Sequence, residues 1–368
     1  MSVAEKKIRV LIVDDSAFMR KVLQNILSAD PQIEVAGQAS DGREAVALAE
    51  SIQPSVITMD LNMPRMTGLE ATELIMSRNP RPIVIVSSES RDGAATTLRA
   101  LSLGAIDFVA KPSSGVDLDM NTVSDELCRK VKTAARVRVI RTATGSRSPA
   151  GSGPSLPATA APAVPPVQSG GRFPVVVIAA STGGPAAVTR MVQQFPKDLP
   201  AAVIGVLHMP PAFTSQFTQQ LAAVTPLRVK EAEANEALQP GTLYVCPGSH
   251  HLRVSSSGRI ALDGGGRISG YRPCADVAME TVAAYAGPLS IGAILTGMGA
   301  DGSRGAVAIQ AARGLVIAQD ESSSMIFGMP AEAIKTGAVT RVLPLDDIAA
   351  AITRQVVALC RAEVVTAE

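Results

Sequence analysis

Ile8 to Val13 is a nearly continuous apolar run that ends on two aspartates, Asp14 and Asp15. A run without polar alternation fits a strand covered on both faces, as in a parallel sheet flanked by helices. The layout then recurs. Ile33 to Ala36, Val56 to Met59, Ile83 to Val86 and Phe108 to Val109 read as four more strands. Gly42 to Ser51, Gly68 to Arg78 and Ala94 to Leu103 read as helices between them. Ser16 caps a first helix with apolar residues at Met19, Val22, Leu23, Ile26 and Leu27. This pattern predicts a five-stranded doubly wound α/β domain with its active groups at the carboxyl ends of the strands. Asp14, Asp15, Asp60, Ser87 and Lys111 all fall there.

Three carboxylates in one pocket need a cation. An all-oxygen ligand set suits Mg²⁺, which keeps several waters and accepts one or two carboxylates plus phosphate oxygens. Asp60 fits a nucleophile toward phosphorus, with Asp14 and Asp15 on the metal. Lys111 offers a point charge to phosphoryl oxygens, and Ser87 a hydroxyl that reorients toward them. Each acid alone also reads as an ordinary loop carboxylate. The set, each member at a strand end, carries the chemistry.

The chain continues well past this unit. Its 368 residues suggest two domains, since a domain takes roughly 150 residues. Residues 141–172 are rich in Pro, Ala, Gly and Ser. Such a stretch buries no core and reads as a flexible tether with a reach of about 30 Å. It divides the chain into residues 1–140, ending in a trailing helix, and residues 173–368. A net charge of +1 gives no general argument for nucleic acid or a membrane surface. No basic helix-turn-helix pattern is evident. Cys128, Cys246, Cys274 and Cys360 form no C-x-x-C pair, which argues against structural zinc or a disulfide framework. The charged N-terminus lacks a signal-peptide core, and no apolar run nears the ~20 residues of a membrane helix. The expectation is a cytoplasmic protein without direct membrane insertion.

The second half also alternates. Val175 to Ala180, Ala202 to Leu207, Leu289 to Leu295 and Leu315 to Ala318 read as buried strands. Gly184 to Gln194, Asp276 to Ala286, Asp301 to Ala312 and Asp346 to Cys360 read as helices. Leu227 to Ile260, with turn signals at Pro240-Gly241, Pro247-Gly248 and Ser257-Gly258, reads as hairpin-like. Ser181-Thr182-Gly183-Gly184-Pro185 runs from a strand into a helix. Such a corner suits phosphate binding at a helix N-terminus or a serine nucleophile raised above a sheet. The dinucleotide and P-loop glycine patterns are absent, which counts against a nucleotide-binding effector. His208 also follows a strand, where it could serve as base to Ser181. His250 and His251 lie in the turn-rich region and read as surface or local structural residues. Asp301 opens a helix after a strand. An aspartate there serves as an N-cap or orients a catalytic imidazole, and both readings stand.

Two resemblances add to this. Val13-Asp14-Asp15-Ser16, Asp60-Leu-Asn-Met-Pro through Gly68, Val86-Ser87-Ser88 and Gly104 through Lys111-Pro112 resemble the receiver domains of two-component response regulators. That implies phosphorylation at Asp60, a flavodoxin-like fold, and Phe108 as an aromatic switch residue. It also raises the prospect of a cis Lys111–Pro112 bond. Ala180 through Pro185, His208-Met-Pro-Pro211, Pro247 through Leu252, Tyr271 through Asp276, Leu295 through Gly302 and Phe327 through Pro330 resemble the chemotaxis-type protein-glutamate methylesterases. The order of receiver, linker and Rossmann-like α/β esterase domain matches as well.

The second resemblance implies Ser181 as nucleophile, His208 as general base and Asp301 as orienting acid. Backbone N–H groups near Met298 and Thr182 would form the oxyanion site. It implies hydrolysis of receptor glutamate methyl esters and deamidation of glutamines. A chemotaxis-type histidine kinase and methyl-accepting chemoreceptors would be the partners. The esterase would need no cofactor, leaving Mg²⁺ at the receiver. Ala179, Leu207 and Cys274 depart from the family's usual glycine, glutamine and serine, at positions expected to lie off the triad. A non-catalytic, phosphorylation-dependent docking module is the alternative of a different class.

Overall fold

The apolar runs become parallel strands, each followed by a crossover helix that returns the chain to the same end of the sheet. In a computed structural model the described residues are 7–87, 90–111, 120–137 and 172–367. The expected tether therefore lies almost wholly outside the described residues, as does Pro112 with its bond to Lys111. The first unit comprises β1 (Ile8–Val13), α1 (Ala17–Ala29), β2 (Ile33–Ala39), α2 (Gly42–Ile52) and β3 (Val56–Met59). It continues through α3 (Gly68–Arg78), β4 (Ile83–Ser87), α4 (Arg91–Ser102), β5 (Asp107–Ala110) and α5 (Met120–Ala134). Its five strands pair in the order β2-β1-β3-β4-β5, all parallel. Val10 and Ile12 pack with α1 and α5, while Leu11 and Val13 face α2, α3 and α4. Helix starts follow local chemistry. Ser16 accepts the Met19 N–H, Asp41 those of Arg43 and Glu44, and Thr67 forms a capping box with Glu70.

The second unit comprises β6 (Val175–Ala180), α6 (Gly184–Val192), β7 (Ala202–Leu207), α7 (Pro211–Val224), β8 (Arg228–Glu231), β9 (Thr242–Val245), β10 (His251–Val254) and β11 (Ile260–Asp263). After these come α8 (Ala275–Ala286), β12 (Ser290–Ile294), α9 (Ser303–Ala311), β13 (Leu315–Gln319), α10 (Met329–Lys335), β14 (Arg341–Leu343) and α11 (Leu345–Ala367). Seven strands form a parallel sheet in the order β14-β13-β12-β6-β7-β9-β8. The two doubly wound parallel-sheet units are as expected. The region Leu227 to Ile260 is not. Its β8 and β9 pair in parallel and extend the main sheet, and only β10 and β11 form an antiparallel hairpin. The turn residues mark bends in the chain, and a bend alone does not set the direction of pairing.

The two units share a core. The apolar face under α2 to α4 continues into the α6–α7 face of the second sheet, with Ala94, Leu98 and Leu101 joining the same cluster as Phe213 and Phe217. Phe108 stacks on Phe213 with ring centroids 4.2 Å apart and planes 18° from parallel.

Candidate functional site

Two groups of polar side chains gather at strand ends, one in each sheet. In the first unit, the carboxylates of Asp14, Asp15 and Asp60 lie within 4.8 Å of one another. Asp14 and Asp60 are buried, whereas Asp15 is exposed. Lys111 bridges the two buried acids, its Nζ 2.8 Å from Asp14 Oδ2 and 2.8 Å from Asp60 Oδ2. Burial pushes the Asp60 carboxyl above its usual range, Lys111 opposes that, and the charge of Asp14 adds to it. Burial also acts against the Lys111 ammonium, but its bonds to Asp14 and Asp60 hold its pKa above the ordinary value. One lysine facing two buried acids and a third close by leaves excess negative charge. The all-oxygen donor set fits a hard divalent cation. A side chain at Gly68 would place its Cβ 1.8 Å from the Asp60 carbonyl oxygen, so only glycine fits there. Ser87 is buried at the neighbouring strand end. Phe108 is also buried, yet its ring belongs to the interface with Phe213.

In the second unit, β6 lies between β12 and β7, where the strand order reverses direction from the first strand. Open α/β sheets place ligands in that crevice. Ala180 pairs with Leu207 in the last register position, so Ser181 and His208 leave the sheet side by side. The Ser181 N–H donates to Thr296 O at 3.1 Å, tying it to the loop after β12. From that loop Asp301 returns to His208, Nε2 to Oδ2 at 2.7 Å. With the proton on Nε2, Nδ1 carries the lone pair, and it is buried without a hydrogen-bond partner. Ser181, His208, Tyr271, Arg272 and Met325 line a cavity of about 570 Å³ that α5 of the first unit also lines through Glu126 and Arg129.

Asp301 is not the cap of the helix it precedes. Gly302 holds the N-cap position of α9. The carboxylate instead sits at the start of α8, accepting the N–H groups of Ala275 at 2.7 Å and Asp276 at 2.9 Å. Burial pushes its pKa up, but His208 and these N–H groups outweigh that and hold it below the usual value. The Cys274 thiol donates to its Oδ1 at 3.1 Å. Cys274 therefore touches the acid, and the expectation that it lies off the triad is overturned. Of the two readings of His251, surface or local structural, the structure gives the second. It is fully buried, with Nε2 3.0 Å from Gly266 O.

The two oxyanion candidates lie where the units meet. The Thr182 hydroxyl donates to Asp107 Oδ2 on β5. The thioether of Met298 meets Arg129 at 3.6 Å and Thr133 at 2.9 Å, both on α5. Asp107 also pairs with buried Lys130, at 3.1 Å, which donates to Phe108 O at 2.6 Å. Asp107 had no assigned role in the sequence, although it sits inside the segment that matches receivers.

The CheB methylesterase family matches residues 176–352, and the response regulator receiver domain family matches residues 10–121. A protein-glutamate methylesterase/protein-glutamine glutaminase of Pyrococcus abyssi is 42% identical over 97% of this chain and 95% of its own length. One of the same name from Symbiobacterium thermophilum is 44% identical over 96% of this chain and 98% of its own. The chain belongs to the CheB methylesterase family. The solved Thermotoga maritima CheB methylesterase catalytic domain is 37% identical to this chain. It covers 50% of this chain and 99% of its own, with a TM-score of 0.49. A family member with an attached receiver is a hydrolase with a response-regulator input. Among the described residues no helix is long and apolar enough to cross a membrane.

Proposed function

We propose that this chain is a phosphorylation-activated protein-glutamate methylesterase and glutamine deamidase acting on methyl-accepting chemoreceptors. The observation that carries this reading is the His208–Asp301 pair at the crevice where Ser181 leaves the sheet next to His208. His208 Nδ1 takes the Ser181 proton as Oγ attacks the γ-ester carbonyl. Backbone N–H groups near Met298 and Thr182 face the developing oxyanion. The C–O bond breaks and methanol leaves with that proton. Water then gives its proton to His208 and attacks the acyl-serine, which frees the glutamate carboxylate and restores the serine hydroxyl. A glutamine follows the same route with ammonia as the leaving group.

Asp60 accepts the phosphoryl group from a chemotaxis-type histidine kinase. Asp14, Asp15 and Asp60 would hold Mg²⁺, which when bound neutralises charge on the phosphoryl oxygens. Regulation runs through β5 and the residue after it. Lys111 reaches Asp60, while Asp107 and Phe108 grip Thr182 and Phe213 across the interface. A phosphoryl group on Asp60 draws Lys111 and Ser87 toward it and weakens that grip. The population shifts toward an arrangement with Ser181 open to the receptor.

The test is methanol release from methylated chemoreceptor membranes, with phosphodonor, for wild type and Ser181→Ala. Release by wild type and none by Ser181→Ala supports the reading. No release by phosphorylated wild type would leave the chain a docking module.

A further inference from the structure

The segment from Tyr271 to Asp276 leads into the first turn of α8 and has no part in the mechanism above. It is nevertheless wrapped around both members of the His–Asp pair. The Tyr271 ring stacks on the His208 imidazole, with centroids 4.2 Å apart and planes 16° from parallel. Its hydroxyl end lies against the loop that carries Asp301. Gly299, at φ +96°, would put a Cβ 2.1 Å from Tyr271 Oη, so that glycine makes room for the phenol. Three residues on, Cys274 is buried at the N-cap position of α8. Its thiol donates to Asp301 Oδ1, at 3.1 Å. Ala275 and Asp276 complete the hold with their N–H groups.

We infer that Tyr271 and Cys274 are positioning residues for the reaction, Tyr271 fixing the plane of the His208 ring and Cys274 the rotation of the Asp301 carboxylate. The inference rests on the Ser181–His208–Asp301 reading. Oδ2 takes Ala275 and His208, and Oδ1 takes Asp276, Gly302 and Cys274. The thiol therefore helps keep Oδ1 turned toward α8, so that Oδ2 faces the imidazole. Burial first, then the charge and hydrogen bond of Asp301, push the Cys274 thiol up to about 12. It stays a proton donor at working pH and does not act as a nucleophile. Tyr271 controls the remaining freedom of the ring. Rotation about the Nε2–Asp301 bond would move Nδ1, and a stacked phenol opposes that rotation. Cys274, Asp276 and Asp301 also lie close enough to hold a metal ion. Asp276 is already bonded to the Gly305 N–H at 2.8 Å and to Arg304 at 3.1 Å, which favours a positioning role for the cluster.

The experiment is steady-state methanol release by the full chain with phosphodonor, over a range of methylated receptor membrane concentrations. The variants are Tyr271→Leu, Tyr271→Phe, Cys274→Val and Cys274→Ser, each assayed below its melting transition. Misplacing the base by a fraction of an ångström predicts that Leu and Val lower kcat roughly tenfold or more with KM unchanged. Phe keeps the stacked ring and Ser keeps the donor, so both should restore kcat to near wild type. Wild-type kcat in Tyr271→Leu and Cys274→Val would overturn the inference. So would a loss confined to KM, or Phe and Ser variants as impaired as Leu and Val. Ser181→Ala separates the two levels. If it retains activity, the triad reading fails. If it is dead while Leu and Val turn over normally, only the positioning role fails.

Discussion

The carboxylate of Asp107 on β5 accepts the hydroxyl of Thr182, the residue after Ser181. One hydrogen bond thus joins the receiver's last strand to the loop of the proposed nucleophile. Both residues are buried, and the acid is charge-paired with Lys130. A hydrogen bond to a charged group contributes about 1.5–3 kcal/mol. Losing it should weaken the closed arrangement, while Lys130 keeps Glu126 at 2.8 Å. Asp107→Ala should raise methanol release without phosphodonor by roughly tenfold, since 1.4 kcal/mol is one decade. An unchanged basal rate would show that the bond does not restrain the enzyme.

The Phe108–Phe213 stack contributes about 0.5–1.5 kcal/mol beyond the area it buries. Phe108→Leu keeps most of the bulk and loses the stack. Basal activity should rise by about two- to tenfold, with a smaller further gain on phosphorylation. Equal stimulation in variant and wild type would remove Phe108 from the coupling.

Asp60 has a folded pKa raised above its unfolded value, by burial first and by Asp14 next, with Lys111 opposing. The stability associated with its neutral form is therefore present below the unfolded pKa of about 4 and lost as pH rises through the folded one. At neutral pH the ionised carboxylate is a net liability without its cation. Asp60→Asn should raise the receiver's melting temperature at pH 7 by about 4 °C or more. The gain should shrink below about pH 4 and narrow when Mg²⁺ is added to wild type. Calorimetry over pH 3–7, with and without Mg²⁺, reads this, and a lower melting temperature for the variant at pH 7 would contradict it.

Asp301 behaves in the opposite sense. Burial acts to raise its pKa, but His208 and the N–H groups at the start of α8 prevail and lower it. Its contribution to stability is present above the unfolded pKa of about 4 and lost as pH falls through the lowered folded value. The melting temperature of wild type should exceed that of Asp301→Asn at pH 6. The gap should close below about pH 4. A gap that stays undiminished as pH falls to 3 would contradict the assignment.

The sheets were legible because parallel strands buried on both faces have a plain signature. Val56–Met59, Gly68–Arg78, Val175–Ala180 and Ala202–Leu207 fall where apolar runs and periodicity put them. The candidate groups were legible because they follow those strands. What escaped was non-local. α7 was not anticipated, although it carries the Phe213 that meets Phe108. The parallel pairing of β8 with β9 depends on which edge of the sheet is free, and turn residues do not report that. Local sequence left Asp301 open between a cap and an acid that orients an imidazole, and its N–H donors at the head of α8, some 25 residues away, were not anticipated. Asp107 and Cys274 act through contacts across the interface and across the crevice, and neither has a periodicity of its own.

On the reading proposed above, phosphorylation of Asp60 exposes a catalytic Ser181. The most direct measurement is the rate at which a fluorophosphonate labels the full chain, with and without acetyl phosphate and Mg²⁺, with the modified residue identified by mass spectrometry. Label should appear on Ser181, and faster with the phosphodonor in wild type. Asp60→Asn should show no acceleration and Ser181→Ala no label. Equal rates with and without phosphodonor in wild type, or label that persists in Ser181→Ala, would contradict that reading.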